Sequence, residues 1–112
     1  MSNNPSISII VPVLNEEGSL EIFYTETSKV LREYSDWEMI FVDDGSDDES
    51  FNIIRGIAEK DSRVTVIQLF KNFGKADALS EGFNQATGDV VITIDADLQD
   101  DPAEIPRLIT KI

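Results

Sequence analysis

The chain has 112 residues, enough for one domain, and 41% of them are hydrophobic, which supports a packed core rather than global disorder. Nine Lys and Arg stand against 22 Asp and Glu, a net charge of −13, which excludes a protein that tracks nucleic-acid phosphates through a basic surface. The absence of cysteine and histidine excludes disulfide frameworks, thiolate zinc sites, Ser-His-Asp triads and imidazole bases.

Any chemistry must therefore rest on carboxylates, lysine, backbone amides or hard metal ions. Met1 to Pro5 lack the basic region and apolar core of a signal peptide, and no apolar run approaches the roughly 20 residues of a membrane span. The expected setting is cytoplasmic.

In chain order, residues 1–6 read as a tail whose last residue opens the first strand, Ser6 to Val13. Ser19 is placed to cap a helix in which Leu20, Phe23, Tyr24, Thr27, Val30, Leu31 and Tyr34 recur at helical spacing. Trp37 to Val42 is a second strand, ending in Asp43-Asp44-Gly45-Ser46-Asp47-Asp48. A second helix runs from about Glu49 to Lys60, with Phe51, Ile54, Ile57 and Ala58 inward. Val64 to Leu69 is the third strand. A helix from Ala76 to Ala86 follows, closed by Thr87-Gly88 with glycine as the C-terminal breaker. Val90 to Ile94 is the fourth strand, and a last helix starts near Pro102 or Ala103 behind Asp101 as its cap.

Three successive β-α-β units predict an α/β fold, a doubly wound and mainly parallel sheet with helices on both faces. The continuous apolar strands fit a sheet covered on both sides. Ligands of such sheets bind beyond the carboxyl ends of the strands, where strand order reverses. The loops to examine are thus Leu14 to Gly18, Asp43 to Asp48, Phe70 to Lys75 and Asp95 to Asp101.

Asp95-Ala96-Asp97, with Gln99 two residues on, carries the strongest signal. Two carboxylates one residue apart at a strand end can share one Mg²⁺ or Mn²⁺, and an incomplete protein shell leaves positions for diphosphate oxygens. The same residues also suit an acidic turn before a helix. Asp43 and Asp44 can accept hydrogen bonds from a ribose or a base, while Asp-Gly alone also makes a plain turn. Gly45 permits that turn, and Ser46 or Asp47 can cap the following helix. Asn15 and Glu16 stand where a base could be read, although Glu16 and Glu17 equally suit the positive end of the next helix. Lys71 and Lys75 are cations at the same sheet edge, Lys71 reading as a solvated charge.

Together, Ile9 to Glu17 (IIVPVLNEE), Val42-Asp43-Asp44-Gly45-Ser46, Asn72-Phe73-Gly74-Lys75, Gly88-Asp89 and Asp95-Ala96-Asp97-Leu98-Gln99-Asp100 resemble the family-2 glycosyltransferases, and within them the polyprenyl-phosphate branch. The resemblance runs from about Ile7 to Leu108. It implies the nucleotide-binding half of a Rossmann-like GT-A fold over residues 7–112, a UDP- or GDP-linked sugar donor and a divalent cation. By position, Pro12, Leu14 and Glu16 would line the base pocket, Asp44 would bind base or ribose, and Lys75 would contact the nucleotide. Asp95 would touch ribose or metal, Asp97 would be the main metal ligand, and Gln99 a further one. The usual Asp-Pro-Pro-Glu after the glutamine reads Asp100-Asp101-Pro102-Ala103-Glu104 here.

The resemblance also implies inversion by a single displacement on a lipid-phosphate acceptor. The acceptor pocket and any general base are expected after residue 112, and the whole protein on the cytoplasmic face of a membrane. The 112-residue chain is expected to bind donor and metal without turnover, and to self-associate through apolar surface. A dehydrogenase would need Gly-x-Gly-x-x-Gly after the first strand, which is missing. A phosphoacceptor module of receiver type shares the clustered acids and lysine, but carries its paired acids after the first strand. A dehalogenase-like phosphatase likewise carries its Asp-x-Asp after the first strand.

Overall fold

The computed structural model describes residues 5–110. Strands β1 (Ile7–Val13), β2 (Trp37–Asp43), β3 (Val64–Gln68) and β4 (Val90–Thr93) alternate with helices α1 (Leu20–Leu31), α2 (Ser50–Lys60) and α3 (Lys75–Gln85). A short 3₁₀ turn (Pro102–Glu104) then leads into α4 (Ile105–Thr110). Most element bounds differ from the sequence reading by a residue or two, the usual uncertainty at frayed ends, but α1 ends at Leu31, three residues before the Tyr34 expected on it.

All strand pairs are parallel, in the order β3-β2-β1-β4. The chain builds outward from β1 to β3, then returns across the sheet to lay β4 on the free side of β1. Strand order thus reverses between β1 and β4, and that reversal opens a crevice at their carboxyl ends.

Alternation along the strands explains which helix goes where. Ile9 and Val11 of β1 and Met39 and Phe41 of β2 share one core with Leu20 and Phe23 of α1 and Ile54 of α2. Ile40 and Val42 point the other way, onto Ala78 of α3. Gly82 brings α3 close to the sheet, because a Cβ there would lie 2.4 Å from Ile10 Cγ2. The expectation of strands buried on both faces holds for β1 and β2 only. Thr65 and Gln68 of β3 and Val91 and Thr93 of β4 are exposed, since these are the outer strands.

Three capping expectations are corrected. Ser19 occupies the cap position of α1 but makes no side-chain cap; its hydroxyl donates elsewhere. Neither Ser46 nor Asp47 caps α2: Asp48 Oδ1 accepts the Ser50 amide at 2.9 Å instead. Gly88 is not a left-handed helix cap, because α3 closes at an extended Ala86 and the Gly88 amide donates to Ser8 Oγ at 2.8 Å. Asp101 does cap, accepting the Ala103 amide at 3.0 Å.

Candidate functional site

The crevice is walled by the loops that leave β1, β2, β3 and β4, and hydrogen bonds tie those loops to one another. Leaving β1, the chain turns sharply at Asn15, whose φ of 54° lies in the left-handed region. That turn is held from the β2 loop. The Asn15 amide donates to Ser46 Oγ at 2.9 Å, and the Glu16 amide donates to Ser50 Oγ at 2.8 Å. The Asp47 amide donates in return to Asn15 Oδ1 at 2.8 Å.

Asp44 joins the next pair of loops. The residue is only 3% exposed, and its carboxylate accepts the Phe73 amide at 2.9 Å and the Gly74 amide at 3.1 Å. These amides lie at the N-terminal end of α3, whose positive dipole end favours a carboxylate. Gly45 lets the two loops cross. It has φ +78°, and a Cβ there would lie 2.6 Å from Asn72 N and 2.6 Å from Lys71 C.

The result is a cleft of about 350 Å³. Pro12, Leu14 and Glu16 reach it from the end of β1, Asp44 and Lys75 from the β2 and β3 sides, and Asp95 and Asp97 from the end of β4. Seven sequence-predicted residues are thus brought together, joined by Val13, Asn72 and Gly74, which had not been singled out as site residues.

Asp43, Ala96 and Gln99 do not line this cleft. Asp43 is 1% exposed, accepts the Ser46 amide at 3.3 Å and faces a neighbouring depression. Ala96 is buried, its carbonyl accepting the Ser19 hydroxyl at 2.6 Å, so that the start of α1 holds the Asp95–Asp97 loop from behind. Gln99 is exposed, and its backbone N–H donates to Asp97 Oδ1 at 3.1 Å. Lys71 lies over the Phe70 and Phe73 rings, 5.8 and 5.1 Å from their centroids, and also misses the cleft.

Negative charge dominates the cleft. Burial, and then the charges of Asp97 and Asp95, raise the pKa of Glu16 despite a hydrogen bond from Ser19. Lys75 is the cation among these lining residues, with Nζ 2.9 Å from Asp95 Oδ1 and 2.9 Å from Oδ2. That hydrogen bond raises its pKa, and the charges of Asp95, Asp100 and Asp97 add to the effect.

Among the described residues no three acidic side chains are grouped to hold an ion by themselves. The donor set nevertheless fits a hard divalent cation: the carboxylates of Asp95 and Asp97 enter the cleft from one loop, with room for oxygens from a ligand. Such a cleft can take an anionic ligand and a cation together.

Comparisons with known proteins identify the family and the fold. The model of the family described as "Glycosyl transferase family 2" matches residues 8–112. An undecaprenyl-phosphate 4-deoxy-4-formamido-L-arabinose transferase of Pseudomonas fluorescens is 48% identical over 107 residues, which cover 94% of this chain and 32% of that protein. Among solved structures, the mannosyltransferase PcManGT of Pyrobaculum calidifontis, in complex with GDP-Man and Mn²⁺, superposes with a TM-score of 0.78 at 28% identity, covering 86% of this chain and 28% of its own. TarS 1-349 of S. aureus in complex with UDP gives a TM-score of 0.70 at 25% identity, covering 94% and 31%. The chain spans about a third of the length of the curated relatives it matches.

Proposed function

The chain belongs to glycosyl transferase family 2, and from that premise we propose that it forms the donor-binding half of an enzyme transferring a sugar, with inversion, from a UDP- or GDP-linked donor to a polyprenyl phosphate. One observation carries the reading: Asp95 and Asp97 enter the same cleft as Lys75 at the start of α3. Carboxylates, an ammonium and a helix N-terminus around one space suit a diphosphate bound with a divalent cation. The relative's undecaprenyl-phosphate substrate and the neighbours' GDP-Man, Mn²⁺ and UDP support it.

Pro12 and Leu14 form the apolar wall against which the base would lie. Asp44 spends its carboxylate chiefly on the Phe73 and Gly74 amides, so it shapes the nucleotide pocket and offers its remaining lone pairs to a base or ribose. Asp95 and Asp97 would hold Mg²⁺ or Mn²⁺, with Gln99 beside them on the same loop. When bound, the cation would act as a Lewis acid on the departing nucleoside diphosphate. Lys75 would neutralise the remaining diphosphate charge. A phosphate acceptor is already anionic, so no strong general base is required of this half. A lipid-phosphate acceptor and a nucleotide-linked donor together suit a whole protein working at the cytoplasmic face of a membrane. Among the described residues no helix is long and apolar enough to cross one.

The receiver reading loses its physical basis. A phosphoacceptor aspartate must be reachable, whereas Asp43 and Asp44 are 1% and 3% exposed and both accept backbone amides.

Calorimetric titration of Mn²⁺ with UDP or GDP, on the wild type and on Asp97→Ala, tests the proposal. Metal-dependent nucleoside-diphosphate binding that disappears in Asp97→Ala is the expected result. Binding indifferent to both metal and Asp97, or metal-dependent phosphorylation of an aspartate by acetyl phosphate, would overturn it.

A further inference from the structure

Lys75 is the first residue of α3, where the helix dipole disfavours a cation, and Gly74 before it offers no side-chain cap. Helix stability therefore does not explain a lysine at this position. Its ammonium instead sits astride Asp95, 2.9 Å from each carboxylate oxygen. The pair is held weakly, because 61% of the Lys75 side chain and 39% of that of Asp95 are exposed. A lysine head group on a flexible four-carbon stem can also be re-aimed without moving the helix.

These facts set up a competition. A divalent cation and an ammonium cannot both sit close to one carboxylate without strong mutual repulsion. A diphosphate in the same cleft changes the balance, since it offers the ammonium several new anionic oxygens within the space that Lys75 already lines. We propose that Lys75 couples metal binding to nucleotide binding: it opposes the cation at Asp95 when no diphosphate is present, and supports it through the diphosphate once one is bound. The inference rests on the reading of Asp95 and Asp97 as metal ligands given under Proposed function. It adds that the chain resists loading with metal alone, so that cation and nucleotide enter as a pair.

The test is Mn²⁺ affinity, followed by the electron paramagnetic resonance of free Mn²⁺, for the wild type, Lys75→Met and Lys75→Arg. Each is titrated alone and with saturating UDP or GDP. Lys75→Met is expected to bind Mn²⁺ alone about fivefold more tightly, as removal of an exposed competing charge allows. With nucleoside diphosphate it should bind Mn²⁺ roughly tenfold more weakly, through loss of a charge-assisted contact. Lys75→Arg keeps the charge and should follow the wild type in both arms. Circular dichroism confirms that each variant is folded, as expected for an exposed side chain. If Lys75→Met shows no measurable gain for Mn²⁺ alone, or no loss with nucleotide, the coupling role is overturned while the donor-site reading stands. A wild type that binds no Mn²⁺ with either nucleoside diphosphate overturns both.

Discussion

Asp44 holds Gly74 by a 3.1 Å hydrogen bond from the backbone amide, bridging the end of β2 and the start of α3 across 30 residues of sequence. Its other oxygen takes the Phe73 amide. A carboxylate is needed there because two amide donors converge on two acceptor oxygens. A residue read from sequence as a ligand contact is thus first of all the clamp that shapes the ligand's pocket.

Asp44→Asn should therefore destabilise the fold. The carboxamide turns one acceptor into a donor facing an amide, and leaving a buried donor unpaired costs about 1–3 kcal/mol. Urea denaturation measures the loss, and faster amide exchange at Phe73 and Gly74 localises it. A variant with wild-type stability and exchange would show that the clamp is dispensable.

Ser19→Ala removes the 2.6 Å hydrogen bond to the buried Ala96 carbonyl. The expected stability cost is about 1 kcal/mol. Because Ala96 lies between the two aspartates, the larger effect should fall on the metal. Mn²⁺ affinity in the presence of nucleoside diphosphate should drop roughly tenfold, the lower end for residues that orient ligands from behind. Unchanged Mn²⁺ affinity would count against that support role.

Gly82→Ala presses a methyl group toward Ile10 Cγ2. Overpacking of this kind costs about 1–3 kcal/mol. Ile10→Ala in the same chain removes Cγ2 and should recover part of that overpacking cost, giving a favourable coupling in a double-mutant cycle. Strict additivity of the two substitutions would mean that α3 and β1 do not meet there.

Acid sensitivity should trace to Asp61. Burial works to raise its pKa, but hydrogen bonds from Arg63 and Tyr24 outweigh burial and hold it at about 2. Its folded value lies below the ordinary 3.8, so its contribution is present above 3.8 and is lost as pH falls toward about 2. Urea midpoints measured from pH 5 to pH 2 should fall more steeply for the wild type than for Asp61→Asn across that window. Tyr24, pushed up to about 12 by burial and by its bond to Asp61, gives the mirror image at high pH: stability lost between 10 and about 12. Equal acid slopes in the two proteins would remove Asp61 from the account.

What could be read from sequence was whatever depends on local pattern. Apolar runs located β1 to β4, the strand-end rule pointed to Glu16, Asp44, Asp95 and Asp97, and the family resemblance added Pro12 and Leu14, all of which line the cleft. Edge exposure of β3 and β4 was not legible, because a run such as Val64 to Gln68 looks the same whether or not a neighbour covers it. Nor were the roles of Ser19, Ser46 and Ser50, whose partners are backbone groups 31 to 77 residues away. Gly45 read correctly as a turn glycine, but its closeness to the Lys71–Asn72 backbone depends on how two loops cross. Asp43 and Ala96 belong to the predicted loops but are buried, Asp43 as the last residue of β2 bonded to the Ser46 amide and Ala96 in a turn whose carbonyl is held by Ser19.

The pairing of β1 with β4 has a consequence for the order of assembly. During synthesis the first strand emerges long before the fourth, and the hydrogen bonds that tie β4 and its flanking loops to the start of the chain span 77 residues at Ser19–Ala96, beside the crevice, and 80 at Ser8–Gly88, at the opposite edge of the sheet. Contacts so distant in sequence form late, because the intervening loop must be closed before they contribute. A nascent chain can pair β1, β2 and β3 while one side of β1 still lacks its neighbour, and the Asp95–Asp97 loop joins the other three only afterwards. The four-loop crevice therefore forms only when β4 docks, rather than growing strand by strand.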